Sequence, residues 1–314
     1  MRVAIIGGTG HIGQFLSGML LDMGHEVFII HTGRTPIVGK DIADRAVFVR
    51  MRYPDMLRDG TFRSLLAEKR FDTVIDILQG DIRGVYADCR ETGVGHLIAC
   101  GSVWMYGRPK VIPTPEVAQT ECPFDGYRSR YTEMLETIER SRADSVSATA
   151  IMPPNICGPG KIPLDGHGGR SIDVHKAHQR GEPVILPFPG TNLIGPCDAE
   201  DVAQGFLLAV ENRNLAAGEV FNVGSAYALT AERFMGTYAE IYGRPIPIEY
   251  VSPEKYAAEV RPSPSANFHF LEHMCPDISK ISARLGYEPR HTPESSMARA
   301  VQWMYDQGLL ETSA

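Results

Sequence analysis

The chain has 314 residues, 43% hydrophobic and 22% charged, which sits near the average for folded globular proteins and excludes a disordered, collagenous or simple coiled-coil chain. Lys and Arg number 31 against 38 Asp and Glu, a net charge of −7. Neither nucleic acid nor an anionic membrane is therefore an expected partner, because both call for a basic surface. A chain of this length buries roughly 75% of its unfolded surface, enough for one large core with an attached lobe.

The chain opens on a short apolar run, Val3-Ala4-Ile5-Ile6, which stops at Gly7. No charged leader precedes it, and no run approaches the ~18 apolar residues of a membrane span. The six cysteines are scattered without a C-x-x-C pair. Reduced thiols and a cytoplasmic location are expected.

In chain order, strands are predicted at Val3–Ile6, Val27–Ile30, Ala46–Val49, Thr73–Ile77, His96–Ala99 and Ala148–Ile151. Helices are predicted between them at Ile12–Met23, Phe62–Lys69, Ile82–Thr92 and Tyr127–Arg142. Strands alternating with helices imply right-handed crossovers and an α/β, doubly wound parallel sheet covered on both faces. After Pro153 the texture changes. Residues 153–196 are rich in Pro and Gly and are expected to be mostly loop, with one helix near Ile172–Arg180. His175 and His178 near Asp173 read as a solvated helix face; no further ligand has metal-site spacing, so no metal is expected. Helices are predicted at Glu200–Glu211, Ala231–Tyr242, Asp277–Leu285 and Pro293–Gln307, a strand at Glu219–Val223, and irregular chain over 245–276. The expected organisation is a nucleotide-binding domain over 1–160, completed by about 197–224. A smaller C-terminal substrate lobe would come mostly from 161–196 and 225–314, with a ligand cleft between them.

The strongest motif is Gly7-Gly8-Thr9-Gly10-His11-Ile12-Gly13, directly after the first strand and opening the first helix. Gly7 suits a tight turn, Gly10 lets backbone approach a pyrophosphate, and Gly13 lets helix pack on strand. The helix N-terminus then offers free N–H groups and its positive dipole end to the phosphates.

With Thr9 inside it, this G-x-x-G-x-x-G spacing resembles the short-chain dehydrogenase/reductase superfamily. Later segments resemble its extended branch, the NAD-dependent epimerase/dehydratase family. They are Cys100-Gly101-Ser102-Val103-Trp104-Met105-Tyr106-Gly107, Pro154-Asn155-Ile156-Cys157-Gly158-Pro159-Gly160, Asp198-Ala199-Glu200-Asp201-Val202-Ala203, Glu219–Gly224 and Leu285–Pro289. The resemblance spans essentially the whole chain. It implies a Rossmann fold and, as cofactor contacts, Gly7, Thr9, Gly10, His11, Ile12 and Gly13, with Leu78, Gln79 and Gly80 after the fourth strand. Pro154, Asn155 and Ile156 join them.

The resemblance also makes Ser102 the group that hydrogen-bonds the reacting oxygen and Tyr127 the acid/base. A tyrosine titrates near 10 unperturbed, so it needs nearby positive charge to act around neutral pH. The family supplies a lysine four residues on; here that position is Tyr131. Arg130 stands one residue earlier, roughly 100° round the helix, and is expected to point elsewhere. Three outcomes follow: a redox enzyme relying on Arg130 or on cofactor charge, a cofactor-dependent protein with other chemistry, or a binder without turnover.

The second strand ends in Ile30-His31-Thr32-Gly33-Arg34-Thr35, with no acid for an adenosine ribose. Arg34, assisted by Arg52, suits a 2′-phosphate, so NADP is expected over NAD. Trp104, Met105, Asn155, His167, Arg261 and His269 are the candidates to line the substrate side. The family's usual arginine before Asn155 is Met152 here. A small-molecule substrate is expected, sugar-like or another hydroxy or carbonyl compound. The expected function is NAD(P)-dependent hydride transfer of the epimerase/dehydratase kind, in a chain that could pair as a homodimer. The alternatives are an NADPH-dependent carbonyl reductase and a non-redox RNA-binding relative.

Overall fold

The apolar runs pair side by side in a computed structural model that describes residues 1–34, 40–53 and 55–311. They form β1 (Arg2–Ile6), β2 (Glu26–His31), β3 (Val47–Arg50), β4 (Thr73–Asp76), β5 (His96–Cys100) and β6 (Ser147–Met152). A seventh strand, Val220–Asn222, lies beside β6. From that edge the order runs Val220–Asn222, β6, β5, β4, β1, β2, β3, and every pairing is parallel. β1, β4 and β5 are buried on both faces but for Arg2, which explains continuous apolar runs without alternation. Strand order reverses between β1 and β4, so a crevice opens there at the carboxyl ends. Register sets its floor: Ile6 stands level with Ile30 and with Asp76, bringing Gly7, His31 and Ile77 to one rim.

The helices are α1 (Gly13–Asp22), α2 (Lys40–Arg45), α3 (Asp55–Arg58), α4 (Thr61–Lys69), α5 (Ile82–Thr92) and α6 (Asp125–Ser141). Phe62, Val85 and Ile138 carry α4, α5 and α6 onto one face of the sheet. Leu16 and Leu20 of α1 pack on the other with Phe206. A third core, built on Leu186, Phe234, Tyr256, Phe270 and Met304, belongs to C-terminal elements.

Two stretches differ from the sequence reading. Residues 153–196 contain short strands Asn155–Cys157, Val184–Pro187, Leu193–Ile194 and Pro196–Asp198, and residues 245–276 contain strand Ile248–Val251 and helix Pro264–Leu271. The strands pair two at a time with partners far along the chain, Val184–Pro187 with Ile248–Val251 and Asn155–Cys157 with Pro196–Asp198. Runs of two to four residues carry no readable period. The helix Ile172–Gln179 is also corrected: His175 and His178 are buried, not solvated. Nδ1 of His175 meets the Tyr242 hydroxyl at 2.9 Å, and the Gly166 N–H donates to Nε2 of His178 at 3.1 Å.

Candidate active site

β1 is followed by Gly7, whose φ of +90° only glycine adopts readily. Its N–H donates to the Ile30 carbonyl at 2.9 Å, and the Gly10 N–H returns to the Gly7 carbonyl at 2.9 Å. A Cβ on Gly13 would stand 2.5 Å from the Gly8 Cα and 2.6 Å from the Gly7 oxygen, so α1 packs directly on the turn. A Cβ on Gly10 would meet only the Gly7 oxygen, at 3.1 Å. Gly10 therefore borders open space that a side chain would fill. That cradle, facing the start of α1, fits a diphosphate.

Two cavities meet over Gly7, Gly10 and Leu78. The one beyond β2, about 440 Å³, is walled by Thr9, His31, Thr32, Met51 and Tyr53. The other, about 1020 Å³, runs past His11 and Ile12 to Ser102, Trp104 and Tyr127.

Among the described residues, no carboxylate lines the cavity at the β2 end. Burial and Arg50 lower the pKa of His31, whose Nδ1 is buried without a hydrogen-bond partner. Arg34 is exposed, its N–H reaching Thr32 Oγ1 at 3.4 Å; Thr35 lies outside the described residues. Arg52 turns to Asp55 at 3.2 Å, because the two face each other across the first turn of α3, and it does not wall the cavity. Arg50, which was not among the expected cofactor contacts, stands nearer to the loop after β2. A Cβ on Gly33 would lie 3.3 Å from the Arg50 Nε, so this guanidinium lies against the loop after β2. Tyr53 also escaped notice. Its ring occupies the space over Gly80, where a Cβ would fall 2.0 Å from it, and its hydroxyl donates to Asp76 at 3.1 Å. Gly80 consequently lies beneath Tyr53, outside both cavities. Burial raises the Asp76 carboxyl to about 6 despite this bond and the Leu78 N–H at 2.9 Å.

β5 delivers the opposite wall. Gln79, held at φ 55°, donates from Nε2 to the Gly101 carbonyl at 2.6 Å and ties the β4 end to the β5 end. A non-glycine residue in that conformation persists only where its surroundings hold it. Ser102 caps the turn Val103–Tyr106, its Oγ accepting from the Trp104 N–H at 3.3 Å. The turn sends Trp104 into the large cavity and Met105 into the core, so Met105 is not a cleft residue. α6 begins at Asp125, which brings Tyr127 into its first turn beside Trp104, ring centroids 6.2 Å apart. Burial raises the Tyr127 phenol above its ordinary value, and Arg130 partly offsets this. Arg130 borders a smaller cavity of about 300 Å³ with Asp76, Gln79 and Cys100, behind the cleft. Tyr131 turns away from the cleft, edge-on to Tyr106 at 5.7 Å.

Pro154, Asn155 and Ile156 form the far wall, and the Asn155 Nδ2 is buried without a partner. His269 packs tilted against Trp104, ring centroids 4.4 Å apart, and is held neutral, its pKa near 3, first by burial and then by Arg170. Arg261 does not reach the cleft: it donates to the Val260 carbonyl at 2.9 Å and stands near His167, which also lies outside. Two cations do line it, Lys161 and Arg170, and neither was read from the sequence. His11 approaches the Gly158 carbonyl at 3.2 Å, its pKa lowered to about 4 by burial, Arg170 and Lys161.

A parallel sheet with this strand order, a glycine turn at its switch point and a Ser–Tyr pair across the crevice are what the resemblance to the extended short-chain dehydrogenase/reductase type implies. The family described as NAD dependent epimerase/dehydratase matches residues 83–224. Over 300 residues the chain is 25% identical to the chloroplast stem-loop binding protein of 41 kDa b of Arabidopsis thaliana, covering 92% of this chain and 75% of that one. Over 326 residues it is 24% identical to a UDP-glucose 4-epimerase of Corynebacterium glutamicum, covering 93% and 92%. Its fold resembles that of a Stenotrophomonas maltophila UDP-glucose 4-epimerase with bound NAD and formylated UDP-arabinopyranose, with a TM-score of 0.77, 19% identity and coverage of 98% and 99%. The chain is thus similar to the NAD-dependent epimerase/dehydratase family over residues 83–224. Among the described residues, no helix is long and apolar enough to cross a membrane.

Proposed function

We propose that the protein is an NAD(P)-dependent enzyme that oxidises or reduces a hydroxyl-bearing carbon of a sugar-like substrate in the large cavity. One observation carries the reading: Ser102 and Tyr127 line the same cavity as Gly10 and Ile12. A proton carrier and an oxygen-orienting hydroxyl thus meet the crevice that fits the cofactor. A bound nicotinamide would supply or accept the hydride at this end of the crevice. Ser102 Oγ would orient the substrate oxygen. Tyr127 would give or take its proton at the phenol oxygen. Because burial raises that phenol, the neutral, proton-donating form prevails at pH 7, which suits reduction of a carbonyl. For proton abstraction the phenol needs positive charge, and Arg130 supplies part of it from behind the cleft. Trp104 and His269 offer an aromatic, uncharged wall for a sugar ring.

At the adenosine end, Arg50 and Arg34 favour the 2′-phosphate of NADP, with Gly33 leaving room for it. Turnover assays with NADPH and NADH against a panel of sugar nucleotides and small carbonyl compounds test the reading. Oxidation of either cofactor that depends on Tyr127 supports it; no cofactor binding at all refutes it. Similarity to a stem-loop binding protein favours a second reading, RNA binding without redox turnover. The net charge of −7 opposes it, and a salt-dependent RNA titration separates the two.

A further inference from the structure

Asp76 ends β4, the middle strand of the sheet, with a carboxylate that is only 2% exposed. Burying a charge there is costly, and its donors do not offset the cost. The Tyr53 hydroxyl donates at 3.1 Å and the Leu78 N–H at 2.9 Å, with the Gly80 N–H beside them, yet burial still lifts the carboxyl to about 6. This folded value lies above the unfolded 3.8, so the ionised group lowers stability at neutral pH, and protonation through about pH 6 relieves that loss. An uncharged residue would spare the fold this loss, which points to a use for the charge outside the fold.

Two of its donors belong to the walls of the crevice. Leu78 is half exposed and borders both cavities. Tyr53 walls the cavity beyond β2 with Met51 and Met56, its ring resting on Gly80 and its hydroxyl turned to Asp76, which lies outside that cavity. The other ionisable groups around Asp76 are Asp81 before α5, Cys89 on α5, Cys100 at the end of β5, and Arg130 of α6, which borders the small cavity beside it. Burial pushes the Tyr53 phenol and both thiols upward, so these three stay protonated at neutral pH.

We propose that Asp76 is a positioning residue for the cofactor: its carboxylate, through the Tyr53 hydroxyl and the Leu78 N–H, holds two walls of the crevice in place, and its neutralisation in acid loosens the grip on the dinucleotide. The proposal rests on the reading of the crevice as a dinucleotide site. A carboxylate holds such donors about twice as strongly as a neutral acid does, so affinity falls as Asp76 takes up its proton.

Fluorescence titration with NADH at pH 7.5 and at pH 5 tests this; NADH serves because the 2′-phosphate of NADPH itself titrates near about 6. His31 and His11 also border the crevice, and both remain in every variant, so the comparison between proteins isolates Asp76. The ratio of Kd at pH 5 to Kd at pH 7.5 is expected to be roughly three- to tenfold larger in the parent than in Y53F or D76N. Both variants should bind NADH about three- to tenfold more weakly than the parent at pH 7.5, because one lacks the hydroxyl and the other the charge. Should D76N fail to fold, Y53F decides, since it removes one oxygen from a part-buried side chain. An equal Kd ratio in the parent and Y53F overturns the proposal, as does parent affinity in a folded D76N at pH 7.5; both results leave the dinucleotide site standing. No NADH binding by the parent at either pH overturns the site and the proposal together.

Discussion

Replacing Gly10 and Gly13 by Ala separates the two jobs of the glycine turn. At Gly13 the new methyl would meet backbone at 2.5 and 2.6 Å, with no flexible side chain to yield. α1 must shift off the turn, an overpacking that costs about 1–3 kcal/mol. Replacing glycine in a helix returns at most about 1 kcal/mol. The net loss, about 1–2 kcal/mol, lowers the melting temperature by roughly 1.5–3 °C for a chain of this size. At Gly10 the methyl meets one oxygen at 3.1 Å and otherwise enters the cavity. Stability should hold within about 0.5 kcal/mol. The displaced diphosphate, however, loses one or two charge-assisted bonds, about 1.5–3 kcal/mol, or roughly ten- to a hundredfold in affinity. Thermal denaturation and NADPH fluorescence titration read both variants. The reasoning fails if G13A melts with the parent or if G10A binds NADPH undiminished.

Three further outcomes are expected. Arg50→Ala should weaken NADPH by about tenfold or more and NADH little, as read by parallel titrations; equal losses would remove Arg50 from the 2′-phosphate. Tyr127→Phe should lower turnover by roughly 10²–10⁴ with cofactor affinity intact, and S102A combined with it should cost less than the product of the single losses, because both act on one oxygen. Burial lowers the pKa of His96 to about 3 and those of His11 and His178 to about 4. These folded values lie below the unfolded 6.5, so the folded state binds fewer protons and stability falls as pH drops below about 6.5. His96→Gln, able to keep the contact with Thr149 Oγ1 at 2.8 Å, should flatten that loss in denaturant titrations between pH 6.5 and 4. An unchanged acid slope would contradict the assignment.

The parallel sheet was legible because its central strands are buried on both faces and some of its helices carry their own caps. α5, for instance, runs over the predicted Ile82–Thr92, with the Asp81 side chain accepting from the Gly84 N–H at its start and Gly93 in the left-handed region at its end. The glycine turn was legible for a similar reason, since each glycine answers a local steric need. Residues placed by distant contacts were not. Arg170 reaches the cleft only because Asp165 gathers the N–H groups of His167, Gly169 and Ser171, an arrangement with no periodic signature. Arg50 and Arg52 are near-equivalent in sequence, yet Asp55 captures one and leaves the other beside Gly33. Met105 and Trp104 are adjacent, and the direction of a single turn decides which lines the large cavity.

The central claim, that Tyr127 faces the nicotinamide end of a bound dinucleotide, is tested most directly by the phenol's own titration. With tyrosine ring carbons labelled and the Tyr127 signal assigned by its loss in Y127F, NMR follows its pKa in the free, NADPH-bound and NADP⁺-bound protein. In the free protein it should lie above the ordinary value, raised by burial. It should fall on binding NADP⁺, whose ring is positively charged, and should not fall on binding NADPH, whose ring is neutral. An equal response to both cofactors, or none, would contradict the account.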